Sequence, residues 1–288
     1  MTPDPSNPDR SATLAGLAAI LLWGILAVMT AATQGIPPFQ LTAMTFSIGG
    51  AVGIAVVAAR GKLALLRQPP KAWALGLFGL FGYHAVYFAA LKLAPPAEAS
   101  VVAYLWPLLI VLFSALLPGE SLRAHHMIGA ALGFGGVAAL AISRGVTGFS
   151  GPALPGYLLA LTSALIWSSY SVLSRLQREV PTEAVAGFCI GTAVLAALCH
   201  FAFEVTVLPA GAALWLMIVL LGLGPVGAAF FFWDHGMKRG DIRFLGVASY
   251  ATPVISTLAL IAAGAAEATW GLAIACALIV GGAVIARQ

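Results

Sequence analysis

Aromatic side chains at helical spacing are the residues of this chain that most clearly point to chemistry. Tyr83 and Tyr87 are four residues apart and would share one face of a helix, with His84 beside them. Rings and hydroxyls suit a neutral or zwitterionic molecule with an apolar or aromatic side chain. They suit a strongly charged molecule poorly, because no Lys or Arg lies mid-segment here. The predicted substrate-binding residues are Tyr83, His84, Tyr87, Tyr104, Trp106, Trp167, Tyr170, Trp233 and Tyr250.

Two prolines follow two of these tyrosines at the same distance, as Tyr104-Leu-Trp-Pro107 and Tyr250-Ala-Thr-Pro253. In a helix, each proline removes one hydrogen bond and frees the carbonyl four residues earlier. The pair predicts two hinges that offer backbone acceptors to an ammonium group. Two static kinks are the alternative.

Catalytic chemistry is not indicated. His125-His126 stands next to Arg123 between apolar segments, and the three cysteines show no metal-ligand spacing. Every carboxylate lies in a loop or near a segment end, which favours facilitated or exchange transport over a carboxylate proton relay. His84 is either a hydrogen-bonding group or proton acceptor that lines a pore, or a neutral imidazole bonded to a neighbouring helix. We expect no catalytic residue, no enzyme activity, no metal site and no cofactor.

Composition identifies the elements that must position these residues. Of the 288 residues, 61% are hydrophobic and 8% are charged, against about 25% charged in an ordinary soluble domain. Lipid must therefore solvate much of the surface. Each of ten apolar segments approaches the ~20 residues that cross a bilayer. The segments are 12–33, 38–59, 72–91, 97–117, 126–143, 154–174, 184–203, 212–234, 244–264 and 268–286.

The basic residues predict the orientation. If the N-terminus is cytoplasmic, only Lys92 and Arg144 of the fourteen Lys and Arg lie on the outer side. This asymmetry predicts an even number of spans with both termini in the cytoplasm, in a multi-pass protein of a bacterial inner membrane. Because these charges are scattered between spans, the expected partners are a small solute and the lipid bilayer, with no nucleic acid. The sequence does not give the oligomeric state.

The chain also repeats itself. Ala103–Pro107 matches Ser249–Pro253, and Gly135-Gly136 matches Gly281-Gly282, both at an offset of 146 residues. Each half holds five segments, so an odd count places the second half upside down relative to the first, as in many transporters. The predicted fold is an all-α membrane protein of ten transmembrane helices in two inverted five-helix repeats. The predicted divisions are a disordered cytoplasmic N-terminus (1–11), a first repeat (12–144), a periplasmic linker (145–153) and a second repeat (154–288).

These motifs resemble a known family along essentially the whole chain. The Tyr-x-x-Pro of the fourth and ninth segments and Gly119-Glu120-Ser121-Leu122 resemble the drug/metabolite transporter superfamily, EamA type. Within it, Ala103–Pro107, Ala164–Tyr170 and Gly246–Val254 are similar to the aromatic amino-acid exporter group. One departure is Met44-Thr45-Phe46 in the second segment, where many members carry an Arg.

The residues by themselves imply an inner-membrane carrier of neutral organic solutes that works by alternating access. The resemblance implies more, namely export of aromatic or neutral amino acids and related small metabolites. The alternative is export of another small metabolite or drug on the same fold.

Overall fold

The computed structural model describes residues 9–118, 122–146, 148–149, 151–264 and 266–286. Residues 1–8 of the predicted disordered N-terminus, and residues 119–121 of the Gly-Glu-Ser-Leu motif, lie outside this part of the chain.

Within the described residues, all regular secondary structure is helical. Nine helices of this part are long and apolar enough to cross a membrane, and the tenth has 17 residues, at the lower end of the ~17–25 that span a bilayer. The prediction of a ten-helix membrane protein is confirmed, whereas the cytoplasmic position of both termini stays a prediction. The helices are α1 (Arg10–Thr30), α2 (Pro38–Ala59), α3 (Pro70–Leu93), α4 (Pro96–Ser114), α5 (Ala124–Ser143), α6 (Gly151–Leu176), α7 (Thr182–Phe203), α8 (Ala212–Arg239), α9 (Ile242–Ala262) and α10 (Trp270–Ala286).

Local sequence explains where several helices begin. Helices α2, α3 and α4 each begin with a proline. Proline has no backbone N–H group, so it leaves no donor unpaired in the first turn of a helix. Asp9 caps α1, where its carboxylate accepts a bond of 2.8 Å from the Ser11 backbone N–H. Hydrogen bonds from the Ser11 hydroxyl and backbone lower the pKa of Asp9. The cap sets the first helical residue at Arg10, two residues before the predicted boundary.

The two halves pack against each other in exchanged pairs. Helix α1 of the first repeat packs on α8 of the second. The repeat equivalents of these two helices, α6 and α3, pack on each other in the same way. Helix α2 packs on its own equivalent α7, and α5 packs on α10. Glycines allow these close approaches, since a Cβ atom on Gly129 would lie 2.6 Å from the carbonyl oxygen of Gly282. Such pairing is what a two-fold relation between inverted halves requires.

Four of the central helices are interrupted near their middle. A turn of π-helix interrupts α3 at Phe78–Gly82 and α8 at Gly224–Ala228. Helix α4 is divided into Pro96–Ala103 and Trp106–Ser114, whereas α9 is divided into Ile242–Ala248 and Ala251–Ala262. Both kinds of break occur in equivalent helices of the two repeats. They therefore follow from the repeated sequence, and π-turns of this kind are frequent at functional sites.

Candidate functional site

A cavity of about 360 Å³ lies at the centre of the bundle and is lined by residues of α1, α3, α4, α6, α8 and α9. Among the described residues, no charged side chain lines it. The cavity can therefore enclose a small organic molecule without contacting a fixed ionic side chain. Six of the predicted site residues line it, namely Tyr83, His84, Tyr87, Tyr104, Trp106 and Trp167.

The cavity lies toward one face of the bundle. Thr30 ends α1, Ser100 lies in the first turns of α4, and Ser256 lies in the second half of α9. All three line the cavity from the half of the bundle that ends at the predicted outer face, the face of Lys92 and Arg144.

Tryptophans of α1, α4 and α6 form the floor of the cavity, and Trp233 of α8 packs directly beneath them. The ring of Trp23 lies 5.6 Å from that of Trp167 and 5.1 Å from that of Trp233. Trp106 meets Trp233 edge to face at 5.8 Å, and Trp167 stacks on Trp233 at 6.2 Å. Because these rings interlock across α1, α4, α6 and α8, the floor is rigid and apolar.

Trp23 and Phe230 line the cavity and are absent from the predicted set. Trp23 donates its indole N–H to the carbonyl of Pro225 at 3.0 Å, in the π-turn of α8. The repeat could have identified Trp23, because Leu22-Trp23-Gly24 is equivalent to Ile166-Trp167-Ser168 at an offset of 144.

Helix α3 supplies a polar wall. Tyr83 and Tyr87 stack at 5.8 Å with an angle of 9° between their rings, as their spacing predicts. Ser100 donates its hydroxyl to the Pro96 carbonyl at 2.7 Å, so it must accept the bond of 2.9 Å that joins it to the Tyr87 hydroxyl. This wall thus presents hydroxyl groups held in place by α4.

His84 has a defined tautomer because its Nδ1 atom lies 2.6 Å from the carbonyl oxygen of Leu80. A carbonyl oxygen can only accept, so Nδ1 carries the proton and Nε2 of the neutral ring is an acceptor. The ring is held edge to face by Phe46 at 5.3 Å. His84 therefore offers one hydrogen-bond acceptor to a molecule in the cavity.

Three predicted site residues do not line the cavity, and their role in binding stays a prediction. Tyr170 packs on Gly79 and lies 5.4 Å from Trp167, behind the floor. Trp233 is fully buried beneath the same floor and donates its indole N–H to the Ser171 hydroxyl at 3.1 Å.

Tyr250 belongs to a different cluster, between α5 and α10. It has no exposed surface, and its hydroxyl oxygen accepts a bond of 3.1 Å from the backbone N–H of Leu108. In a regular helix this N–H would bond to the carbonyl of Tyr104, where α4 is broken. Tyr250 thus joins the broken part of α4 to α9.

The two predicted hinge prolines lie just after the two breaks. Pro107 is the second residue of the helical segment Trp106–Ser114, and Pro253 is the third of Ala251–Ala262. The carbonyl of Ser249 already accepts one bond of 3.1 Å, from the Thr252 N–H. Movement at these prolines stays a prediction.

A cluster of buried charged groups lies at the opposite end of the bundle. Lys238 is 4% exposed, and its Nζ lies 2.8 Å from Oδ1 of Asp234 and 2.9 Å from the Val180 carbonyl. Thr182 donates to the other carboxylate oxygen at 2.7 Å, and Arg175 donates to the carbonyls of Met237 and Gly240. The described residues contain no group of three or more His, Cys, Asp or Glu that could hold a metal ion. The charges of this cluster are instead bonded to one another and to backbone carbonyls.

Ten apolar spans, halves that pack in exchanged pairs and a central cavity together define a membrane carrier of the inverted-repeat class. The chain belongs to the EamA-like transporter family, whose family model matches residues 10–142 and 154–288. It is accordingly a multi-pass transport protein of the inner membrane.

Several known proteins are similar over nearly the whole chain. An "Aromatic amino acid exporter YddG" of Ancylobacter novellus is 62% identical over 278 residues, which are 96% of each chain. The Salmonella typhimurium protein of the same name is 28% identical and is matched over 86% of this chain and 87% of its own. A solved structure titled "Crystal structure of protein" is 61% identical over 96% of both chains, with a TM-score of 0.93.

Proposed function

We propose that this protein exports aromatic and other neutral amino acids, together with related small metabolites, across the inner membrane by alternating access. The observation that carries the proposal is the central cavity, which has an aromatic floor, a hydroxyl-bearing wall and no charged side chain among its described lining. A volume of about 360 Å³ lies within the ~300–1,000 Å³ typical of small-molecule sites. The name of the 62% identical relative supports the same substrate class and direction.

The proposed movement follows from the packing. The cavity extends toward the predicted outer face, and the buried charges around Asp234 lie at the opposite end of the bundle. Two halves that pack in exchanged pairs can rock so that the same site meets each side of the membrane in turn. Transport, rather than catalysis, is the activity that these residues support.

A pair of tryptophan variants tests the substrate class. Trp23→Leu removes an aromatic face from the cavity, whereas Trp270→Leu alters a tryptophan that is 59% exposed at the start of α10. A lost ring contact is worth about 1 kcal/mol, or roughly fivefold in affinity. In counterflow assays with purified protein in liposomes, Trp23→Leu should weaken transport of labelled phenylalanine about fivefold and that of leucine much less.

The control Trp270→Leu should keep the wild-type substrate profile. If both variants change the phenylalanine-to-leucine preference equally at equal reconstitution, these tryptophans act as membrane anchors and the proposed site is wrong. If the wild-type protein exchanges neither amino acid, the proposed substrate class itself is wrong.

A further inference from the structure

The loop that joins α2 to α3 contains four exposed basic residues, namely Arg60, Lys62, Arg67 and Lys71. Lys62 lies 3.9 Å from the Glu183 carboxylate, whereas the other three form no ion pair with a described residue. Basic residues at the ends of α6 and α8 differ, since Arg175 and Lys238 are buried and bonded within the protein. The α2–α3 loop therefore presents three cations that no described carboxylate neutralises.

Two of these cations continue apolar helix faces that are exposed on the outside of the bundle. Val52, Val56 and Arg60 follow one another at intervals of four residues on α2, and the valines are 45% and 44% exposed. On α3, Lys71 and Phe78 lie about two turns apart on one face, and Phe78 is 44% exposed. Exposed apolar faces of membrane helices contact acyl chains, so a cation at the end of such a face lies near the lipid phosphates.

Between these two cations the loop forms a short 3-10 helix, Leu63–Leu66, in which no residue is buried. Leu63 is 51% exposed. This helix contacts Thr182–Ala184 at the start of α7, so the loop crosses the end of α7 on its way from α2 to α3. Exposed leucine flanked by Lys and Arg is typical of a segment that lies in the membrane interface.

The equivalent loop of the second repeat, residues 204–211 between α7 and α8, has no basic residue. It also exposes apolar side chains, since Val205 and Leu208 are each 83% exposed. Its one charged side chain, that of Glu204, is 6% exposed and accepts bonds of 3.0 and 3.1 Å from the Phe39 and Gln40 backbone N–H groups. Connecting two spans of this fold thus requires no cation, and the basic residues of the α2–α3 loop need another explanation.

We propose that the α2–α3 loop binds the headgroups of anionic phospholipids in the leaflet that it faces. Arg60 and Lys71 donate to phosphate groups of lipids whose acyl chains lie along the exposed faces of α2 and α3. Arg67 adds a third cation, and Leu63 enters the acyl layer between them. A zwitterionic lipid has the same phosphate but also its own cation, so the loop selects lipids with a net negative charge. This inference does not depend on which solute the protein transports.

Thermal unfolding of the purified protein in a neutral detergent tests the inference, with phosphatidylglycerol or phosphatidylcholine added in increasing amounts. Phosphatidylglycerol should stabilise the wild type at a lipid concentration at least about tenfold lower than phosphatidylcholine does, because each cation near an anionic lipid contributes about fivefold in affinity. The triple variant Arg60→Gln/Arg67→Gln/Lys71→Gln should lose this preference. Salt at about 1 M should also weaken it, because charges are then screened within about 3 Å.

Lys92→Gln combined with Arg144→Gln is the matched control, because both side chains are exposed and lie on the predicted outer face. This double variant should keep the wild-type preference. In detergent the orientation of the protein in a membrane no longer matters. If the basic residues serve only to set the topology, neither lipid will be preferred.

The inference is overturned if the wild type does not prefer phosphatidylglycerol, if the triple variant keeps the preference, or if the control variant loses it equally. It is also overturned if inorganic phosphate at the same concentration stabilises the wild type as well as the lipid does, because the loop would then bind a free anion. If the triple variant cannot be purified, the single variants Arg60→Gln and Lys71→Gln decide. Each should weaken the effect of phosphatidylglycerol roughly fivefold.

Discussion

Tyr104 and Tyr250 occupy equivalent positions in the two repeats, 146 residues apart, and the structure places them differently. Tyr104 lines the cavity, and its hydroxyl makes no hydrogen bond to a described residue. Tyr250 is fully buried, bonds to the Leu108 N–H and packs against Gly133. The repeated sequence thus produces two similar helix breaks. The tyrosine of the first break lines the cavity, whereas the tyrosine of the second is buried and hydrogen-bonded to α4.

The same contrast recurs at the ends of α3 and α8. Lys92 and Lys238 are equivalent, yet Lys92 is exposed whereas Lys238 is buried beside Asp234. Phe88 stands where the first repeat would need a carboxylate. The two repeats are therefore not equivalent in this structure, because the charged end of α8 is buried whereas the equivalent end of α3 is exposed. The difference follows from the sequence, because Asp234 gives Lys238 a buried partner and Phe88 gives Lys92 none.

The largest effect is expected from the buried ion pair. Lys238→Met should lower the free energy of unfolding by about 3–5 kcal/mol, because it leaves the Asp234 carboxylate buried without its cation. The equivalent substitution Lys92→Met should have little effect, since that side chain is exposed. Thermal unfolding in detergent measures both.

A double variant sharpens the same test. Asp234→Asn combined with Lys238→Met removes both charges, so much of the lost stability should return. Equal unfolding temperatures for Lys238→Met and Lys92→Met would contradict the difference between the two ends.

A smaller loss of stability is expected from crowding the buried ring of Tyr250. A Cβ atom on Gly133 would lie 2.2 Å from Cδ2 of Tyr250, so Gly133→Ala should cost about 1–3 kcal/mol of stability through overpacking. Gly135→Ala is the control, because its nearest neighbour atom, on Leu278, would be 3.8 Å away. Urea or thermal unfolding followed by tryptophan fluorescence would compare them. If Gly135→Ala lowers the stability as much as Gly133→Ala does, Tyr250 does not pack against Gly133 as described.

The smallest effect is expected from single hydroxyl groups. Tyr250→Phe leaves the Leu108 N–H without its partner and should cost about 1 kcal/mol or somewhat more. Tyr104→Phe breaks no hydrogen bond between described residues and should leave stability unchanged. Unfolding of the two variants side by side measures the difference, and equal losses would mean that the two breaks are equivalent after all.

Much of the site was predictable from a local rule, namely that residues three or four apart on a helix share one face. Tyr83 and Tyr87 stack as their spacing requires, and the repeat placed Tyr104 and Trp106 at a helix break. The rule fails for Tyr170, which is as aromatic and as central as Trp167 but lies behind the floor. In a helix surrounded by other helices, every face is apolar, so periodicity does not distinguish a face on a cavity from a face on a neighbour.

The ten spans, the two repeats and the two breaks near Pro107 and Pro253 follow from the sequence alone, because span length, apolar content and proline act within one helix. Only the tertiary structure decided which of two equivalent tyrosines faces the cavity and which lysine is buried. These features depend on how one half packs on the other, and two inverted halves have at least two such arrangements. The order of residues specifies both halves, whereas the packing selects one state.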